Sequence, residues 1–151
     1  MRTDGHPGPP GQGPLLRVRD LQVSFPLEHS TVYAVQGLGF QVEAGERLGV
    51  VGESGSGKSV SALSVMRMLP SPGRVTGGEI TFEGQDLLRL PAHRMRHLRG
   101  GQIGMIPQNP LTSLNPVLTV AAHFQEVLAL HLGLKGATAR ARTIELLRSV
   151  G

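Results

Sequence analysis

Eight consecutive residues, Gly52-Glu53-Ser54-Gly55-Ser56-Gly57-Lys58-Ser59, carry the plainest chemistry in this chain. Glycines at 52, 55 and 57 admit backbone conformations closed to other residues, so successive amide N–H groups can turn toward one anion. Lys58 adds a point charge for the β and γ phosphates, and the Ser59 hydroxyl is a hard oxygen ligand for Mg²⁺. The spacing G-x-x-x-x-G-K-S reads as a P-loop, a cradle for a nucleoside triphosphate. A glycine-rich turn that merely joined two elements would leave the Lys-Ser pair unexplained.

The flanking residues predict how the cradle is held. Leu48-Gly49-Val50-Val51 is apolar without alternation, which predicts a strand buried on both faces, as in a parallel sheet. Beyond the loop, Ala62, Val65, Met66 and Leu69 recur at i, i+3, i+4 and i+7 and predict one face of a helix. Pro70 and Pro72 would stop it. The loop would then sit at a helix N-terminus, where the dipole favours a bound anion.

Upstream, Leu15 to Phe25 alternates apolar and polar residues like a half-buried strand, and Tyr33 to Val42 repeats the pattern across a PLEHST hairpin loop. Downstream, Gly78–Phe82 and Ile103–Ile106 read as short strands. Pro91 to Arg99 reads as a short basic helix with a solvated face. A proline-punctuated loop, PQNPLTSLNP, follows, and then two helices, Thr119–Leu132 and Thr138–Val150. In the first of these, Phe124, Val127, Leu128 and His131 share a face. The fold class expected is α/β.

Composition narrows the partners. Aromatic residues make up only 3% of the chain and no tryptophan occurs, so the core must be built from Leu, Val, Ile, Met and Ala. The absence of cysteine excludes disulfides, thiolate metal sites and a cysteine nucleophile. Thirteen of the fifteen basic residues are arginine, giving a formal net charge of +4. Without a base-reading motif or interleaved aromatics, that charge does not point to nucleic acid. No apolar run reaches the length of about 18 to 20 residues that spans a bilayer. The first fourteen residues, MRTDGHPGPPGQGP, lack the hydrophobic stretch of a secretory signal and read as a disordered tail.

A second motif stands 50 residues beyond Lys58, where Gln108 opens the loop PQNPLTSLNP. In that order and spacing it resembles the Q-loop of ATP-binding-cassette ATPases. The likeness extends to LLRVRDLQVSF, to YAVQGLGFQVEAGERLGVVGESGSGKSVSAL and to GGEITFEGQDLLRL, and covers the chain from Leu15 to Gly151. The group it resembles is the ATP-binding subunits of bacterial di- and oligopeptide importers, which also includes nickel importers. The resemblance implies an ABC-type P-loop fold, with an antiparallel β subdomain beside a parallel core sheet and the P-loop helix. It implies ATP and Mg²⁺ as ligands. Gly52, Glu53, Ser54, Gly55, Ser56, Gly57, Lys58 and Ser59 would hold the phosphates. Ser59 and Gln108 would share the metal, and Gln108 would position water and report nucleotide state. Phe25 matches the aromatic that stacks on adenine, with Tyr33 as the alternative. The implied partners are transmembrane permease subunits and a second ATP-binding subunit, at the cytoplasmic face of the inner membrane. Nothing implies direct nucleic-acid contact.

Two positions depart from the family pattern: Pro107 replaces a bulky apolar residue and Asn109 a frequent aspartate. Pro107 removes a backbone donor and drives Ile106 toward extended geometry. The family's later motifs are also missing: an LSGGQ-like signature, an apolar strand ending in Asp-Glu, and a switch histidine. Glu126 and Glu145, the acids after Gln108, fall in predicted helices, as do His123 and His131. Residues 15–151 are therefore expected to be the N-terminal part of a nucleotide-binding domain. This part would bind nucleotide weakly and not turn it over alone, since phosphoryl transfer to water needs a positioned base. The competing expectations are an ABC ATPase outside transport, of the DNA-repair type, and a catalytically dead nucleotide-binding remnant. A P-loop GTPase is disfavoured because no N-K-x-D motif occurs.

Overall fold

Alternating burial builds the first strand, β1 (Leu16–Pro26), and a bulge keeps that alternation in phase. Val18, Leu21 and Val23 all face the core although the first pair are three residues apart. The extra residue is absorbed at Arg19-Asp20, where pairing shifts register and Asp20 takes φ 45°. The neighbouring strands accommodate the bulge with glycine. Gly78 has φ 90°, and a Cβ there would strike the carbonyl oxygens of Arg19 and Asp20. The computed structural model describes residues 13–151, so the tail expected over 1–14 lies, for residues 1–12, outside the described residues.

β1 is the middle of an antiparallel sheet. It pairs on one side with β2 (Thr31–Val42) and on the other with β3 (Arg74–Phe82), which pairs in turn with the two-residue β4 (Gln85–Asp86). The helix after the P-loop, α1 (Lys58–Val65), packs against β1 and β2. Leu21, Val23, Val35, Val65, Met66, Ile80 and Leu87 form the buried core, each large aliphatic contributing about 1.5–3 kcal/mol of transfer free energy. Arg67, at φ 50°, ends the turn after α1 and donates from Nη1 to the carbonyls of Leu87 and Leu90.

The chain divides into two compact units, one ending at Ala92 and the other spanning His93–Gly151. In the second, α2 (Ala92–Gly101) buries Met95 and breaks at Gly100, where φ is 80°. The imidazole of His131 lies over that break, 2.7 Å from where a Gly100 Cβ would stand. A single 3₁₀ turn (Pro110–Ser113) precedes α3 (Val120–Leu132). Thr119 caps α3, its Oγ1 accepting from the Ala122 amide at 3.2 Å. α3 packs on α4 (Gly136–Ser149) through Leu128, Ala139 and Thr143.

Four expectations need correction. Leu48–Val51 is not a buried strand: it joins no ladder and Val51 is 94% exposed. Ile103–Ile106 forms only an isolated parallel bridge between Arg99 and Ile103, with Ile106 90% exposed. A strand of a parallel sheet draws its hydrogen bonds from neighbours on both sides. No such neighbours occur among the described residues, so the expected parallel core sheet is absent there and the sheet is antiparallel. α1 also ends at Val65, before Pro70, and its buried face is Ser61, Ser64 and Val65 rather than one that includes Ala62. The two serines tolerate burial because Ser61 Oγ donates to Gly57 O at 2.9 Å and Ser64 Oγ to Val60 O at 2.7 Å.

Candidate nucleotide-binding site

Gly57 docks the loop on the sheet. It is buried, caps α1 at φ 90°, and a Cβ there would lie 2.6 Å from Ala34 O and 3.2 Å from Val35 Cγ2. Any side chain would push the loop off β2 as well as strain its backbone. Gly55 is also left-handed, at φ 84°, and Ser56 N donates to Glu53 O at 3.2 Å to close the turn. Glu53, Ser54 and Ser56 are exposed on the rim.

Lys58 shows what the loop is built to hold. Its ammonium folds back into the loop and donates to Gly52 O and Glu53 O, both at 2.6 Å, and to Ser56 Oγ at 3.2 Å. All three ammonium donors thus meet neutral oxygens, and no carboxylate among the described residues pairs with the charge. The first amides of α1 have no intrahelical acceptor. Ser59, in that first turn, is exposed. A cation held by two carbonyl oxygens and a hydroxyl, beside a helix N-terminus whose first amides lack intrahelical acceptors, suits a phosphate chain. The residues present fit a triphosphate, and the exposed Ser59 hydroxyl fits a bound Mg²⁺.

The aromatic candidates separate. Phe25, next to last in β1, lays its ring edge on Gly73, where a Cβ would come within 2.7 Å of Cζ. Tyr33, on β2 beside the Ala34 that supports Gly57, is 64% exposed. Gly73 was not singled out from sequence. Its role was hidden because it arises from a contact between distant segments.

The P-loop residues lie together in the first unit, and Gln108 belongs to the second. Its side chain is exposed and makes no hydrogen bond within the described structure. The loop that follows it is organised by residues sequence reasoning passed over. Val117 N donates to Asn115 Oδ1 at 3.1 Å, an Asx turn, and Asn115 N donates to His123 Nε2 at 2.9 Å. An N–H on Nε2 needs the lone pair there, so Nδ1 carries the ring hydrogen and donates to Thr119 O at 3.0 Å. His123 is thus a brace between loop and helix.

Comparison with known proteins agrees with this geometry. A family model described as ABC transporter matches residues 35–151. The chain belongs to the ABC transporter family. Among curated relatives of this ABC-family chain, it is 48% identical over 139 residues to the peptidoglycan transport ATP-binding protein YejF of Agrobacterium fabrum, covering 91% of this chain and 26% of that protein. It is 46% identical over 138 residues to the oligopeptide transport ATP-binding protein OppD of Bacillus subtilis, covering 91% and 38%. With OppD of Escherichia coli the identity is 46% over 136 residues, covering 90% and 40%. The chain therefore spans about a quarter to two-fifths of the length of these relatives. Among solved structures, the ATP-binding cassette MJ0796 in a post-hydrolysis state with ADP and Pi superposes with a TM-score of 0.75 at 21% identity, over 88% of this chain and 56% of that one. That likeness establishes an ABC-cassette fold. No helix among the described residues is long and apolar enough to cross a membrane.

Proposed function

We propose that residues 15–151 are the N-terminal part of the nucleotide-binding domain of a peptide importer's ATP-binding subunit. They would hold the phosphates of Mg·ATP in the loop Gly52–Ser59. The observation that carries the binding reading is the Lys58 ammonium, held by three loop oxygens with no carboxylate partner among the described residues. The importer reading is supported by the names of relatives 46–48% identical to this chain. In this reading Lys58 exchanges its loop oxygens for phosphate oxygens, and the amides after Gly57 receive the remaining charge. Ser59 would ligate Mg²⁺, which when bound would neutralise charge on the phosphates. Gln108, whose side chain is exposed, is proposed as a further Mg²⁺ ligand and as the residue that reports nucleotide state. Phe25 is proposed to stack on adenine, Gly73 setting the attitude of its ring.

For the whole protein we propose hydrolysis coupled to di- or oligopeptide import. Permease subunits would hold it at the cytoplasmic face of the membrane, and a second ATP-binding subunit would complete the site. These residues bind and report; they do not themselves provide a carboxylate base.

Titration of the purified chain with a fluorescent ATP analogue and Mg²⁺ tests the clamp. Lys58→Ala removes a charge-assisted bond set and is expected to weaken binding about 10- to 100-fold. Circular dichroism must confirm that the variant keeps its fold, because Lys58 also closes its own loop. Unchanged affinity in a folded variant rejects the assignment.

A further inference from the structure

The charge of this chain is unevenly placed. From Leu87 to Gln125 there is no aspartate or glutamate, while Arg89, Arg94, Arg96 and Arg99 fall within eleven residues. The chain holds fifteen basic and eleven acidic residues, so those four arginines account for the entire excess of +4 and the remainder is balanced. Two of them are already engaged or drawn inward. Arg89 Nε pairs with Asp86 at 3.1 Å, and Arg99 is half-buried. Arg94 and Arg96 are exposed on α2 and make no ion pair or hydrogen bond among the described residues.

The helix turns Arg96 outward, away from its buried side, and carries Arg94 on the flank between the two. Met95, 1% exposed, and half-buried Leu98 form its inner face. His93, Arg96 and His97, at i, i+3 and i+4, form the opposite face, all exposed, with Arg94 on its flank. A surface helix of this kind ordinarily mixes signs to stay solvated; here no acid interrupts the basic face.

We infer that the outer face of α2, formed by Arg96 with His93 and His97 and flanked by Arg94, docks on the anionic phospholipid headgroups of a membrane. This rests on the importer reading, which places the domain beside a bilayer. The planar guanidinium fork matches a phosphodiester, and an anionic leaflet attracts each nearby arginine. Cytoplasmic loops of membrane proteins carry excess Lys and Arg, so a basic helix is a poor match for the permease itself and a good one for the lipid around it. A contact this small would be weak alone. It becomes effective when the partner subunits already hold the domain at the membrane.

The test is co-flotation of the full chain with phosphatidylcholine vesicles and with equal-sized vesicles also containing phosphatidylglycerol, at low and raised salt. Association is expected only with the anionic vesicles and is expected to fall with salt. Arg94→Gln with Arg96→Gln is expected to lower it about fivefold per arginine. Arg140→Gln with Arg148→Gln, which removes the same charge from exposed positions on α4, is expected to leave it largely intact. Equal loss in both double variants would reduce the effect to net charge and overturn the inference, as would equal binding to neutral vesicles. Binding to soluble polyglutamate without preference for anionic vesicles would assign the face to an acidic protein instead. Mg·ATP titration of the Arg94/Arg96 variant keeps the two readings apart. Retained nucleotide binding with lost flotation supports this inference, and failure of nucleotide binding in the unmodified chain strikes only the phosphate-clamp reading.

Discussion

The strand β1 and the run Leu48–Val51 are similarly apolar and lie in the same compact unit, yet they end in opposite environments. Leu21 in β1 is fully buried; Val51 is 94% exposed. β1 has antiparallel ladders on both sides, within a hairpin and a short crossover that this stretch of chain itself supplies. Leu48–Val51 has no ladder. Apolar side chains give a segment a reason to be buried, but an extended backbone enters a core only when its amides and carbonyls are paired. The difference explains why the P-loop here is anchored from one side, by Gly57 on β2 and by α1, and not by the unpaired run that leads into it.

The sharpest way to break the comparison is to damage β1. Leu21→Ala removes a fully buried side chain between two sheet neighbours and is expected to cost about 3–5 kcal/mol in urea unfolding. A cost below about 1 kcal/mol would mean the antiparallel sheet is no better ordered than the exposed run. Gly78→Ala probes the backbone of the same sheet. Its φ of 90° and the carbonyls of Arg19 and Asp20 leave no space for a Cβ, and the expected loss is about 1–3 kcal/mol. A neutral Gly78→Ala, by the same unfolding measurement, would show that the bulge at Asp20 is not the conformation held in solution.

Local pattern was enough where the partners are close in sequence. Alternation over Leu15–Phe25 and Tyr33–Val42 announced the hairpin, and Thr119 announced the start of α3. The rest depends on distant contacts. Nothing in a single residue's type says that Gly73 lies under Phe25, that Gly57 rests on Ala34, or that His123 ties Asn115 to the first turn of α3. The exposed state of Ile106 and Val51 was illegible for the same reason, since burial of a parallel strand is a property of its neighbours.

The smallest expected effect is the most discriminating. Val51→Ser deletes apolar surface that is already in water, so the folded chain loses almost nothing that the unfolded chain had not lost too. The expected change is within about 0.5 kcal/mol, read from the urea midpoint beside Leu21→Ala. Because Val51 directly precedes Gly52, the same variant should also leave the loop's hydrogen bonds to Lys58 in place, and with them the affinity for Mg·ATP. A destabilisation as large as that of Leu21→Ala would require Val51 to be covered in solution, by a second chain or by a paired strand. Sedimentation of the unmodified chain separates those two outcomes. A dimer that dissociates in Val51→Ser places the cover between chains, and a monomer places it within one.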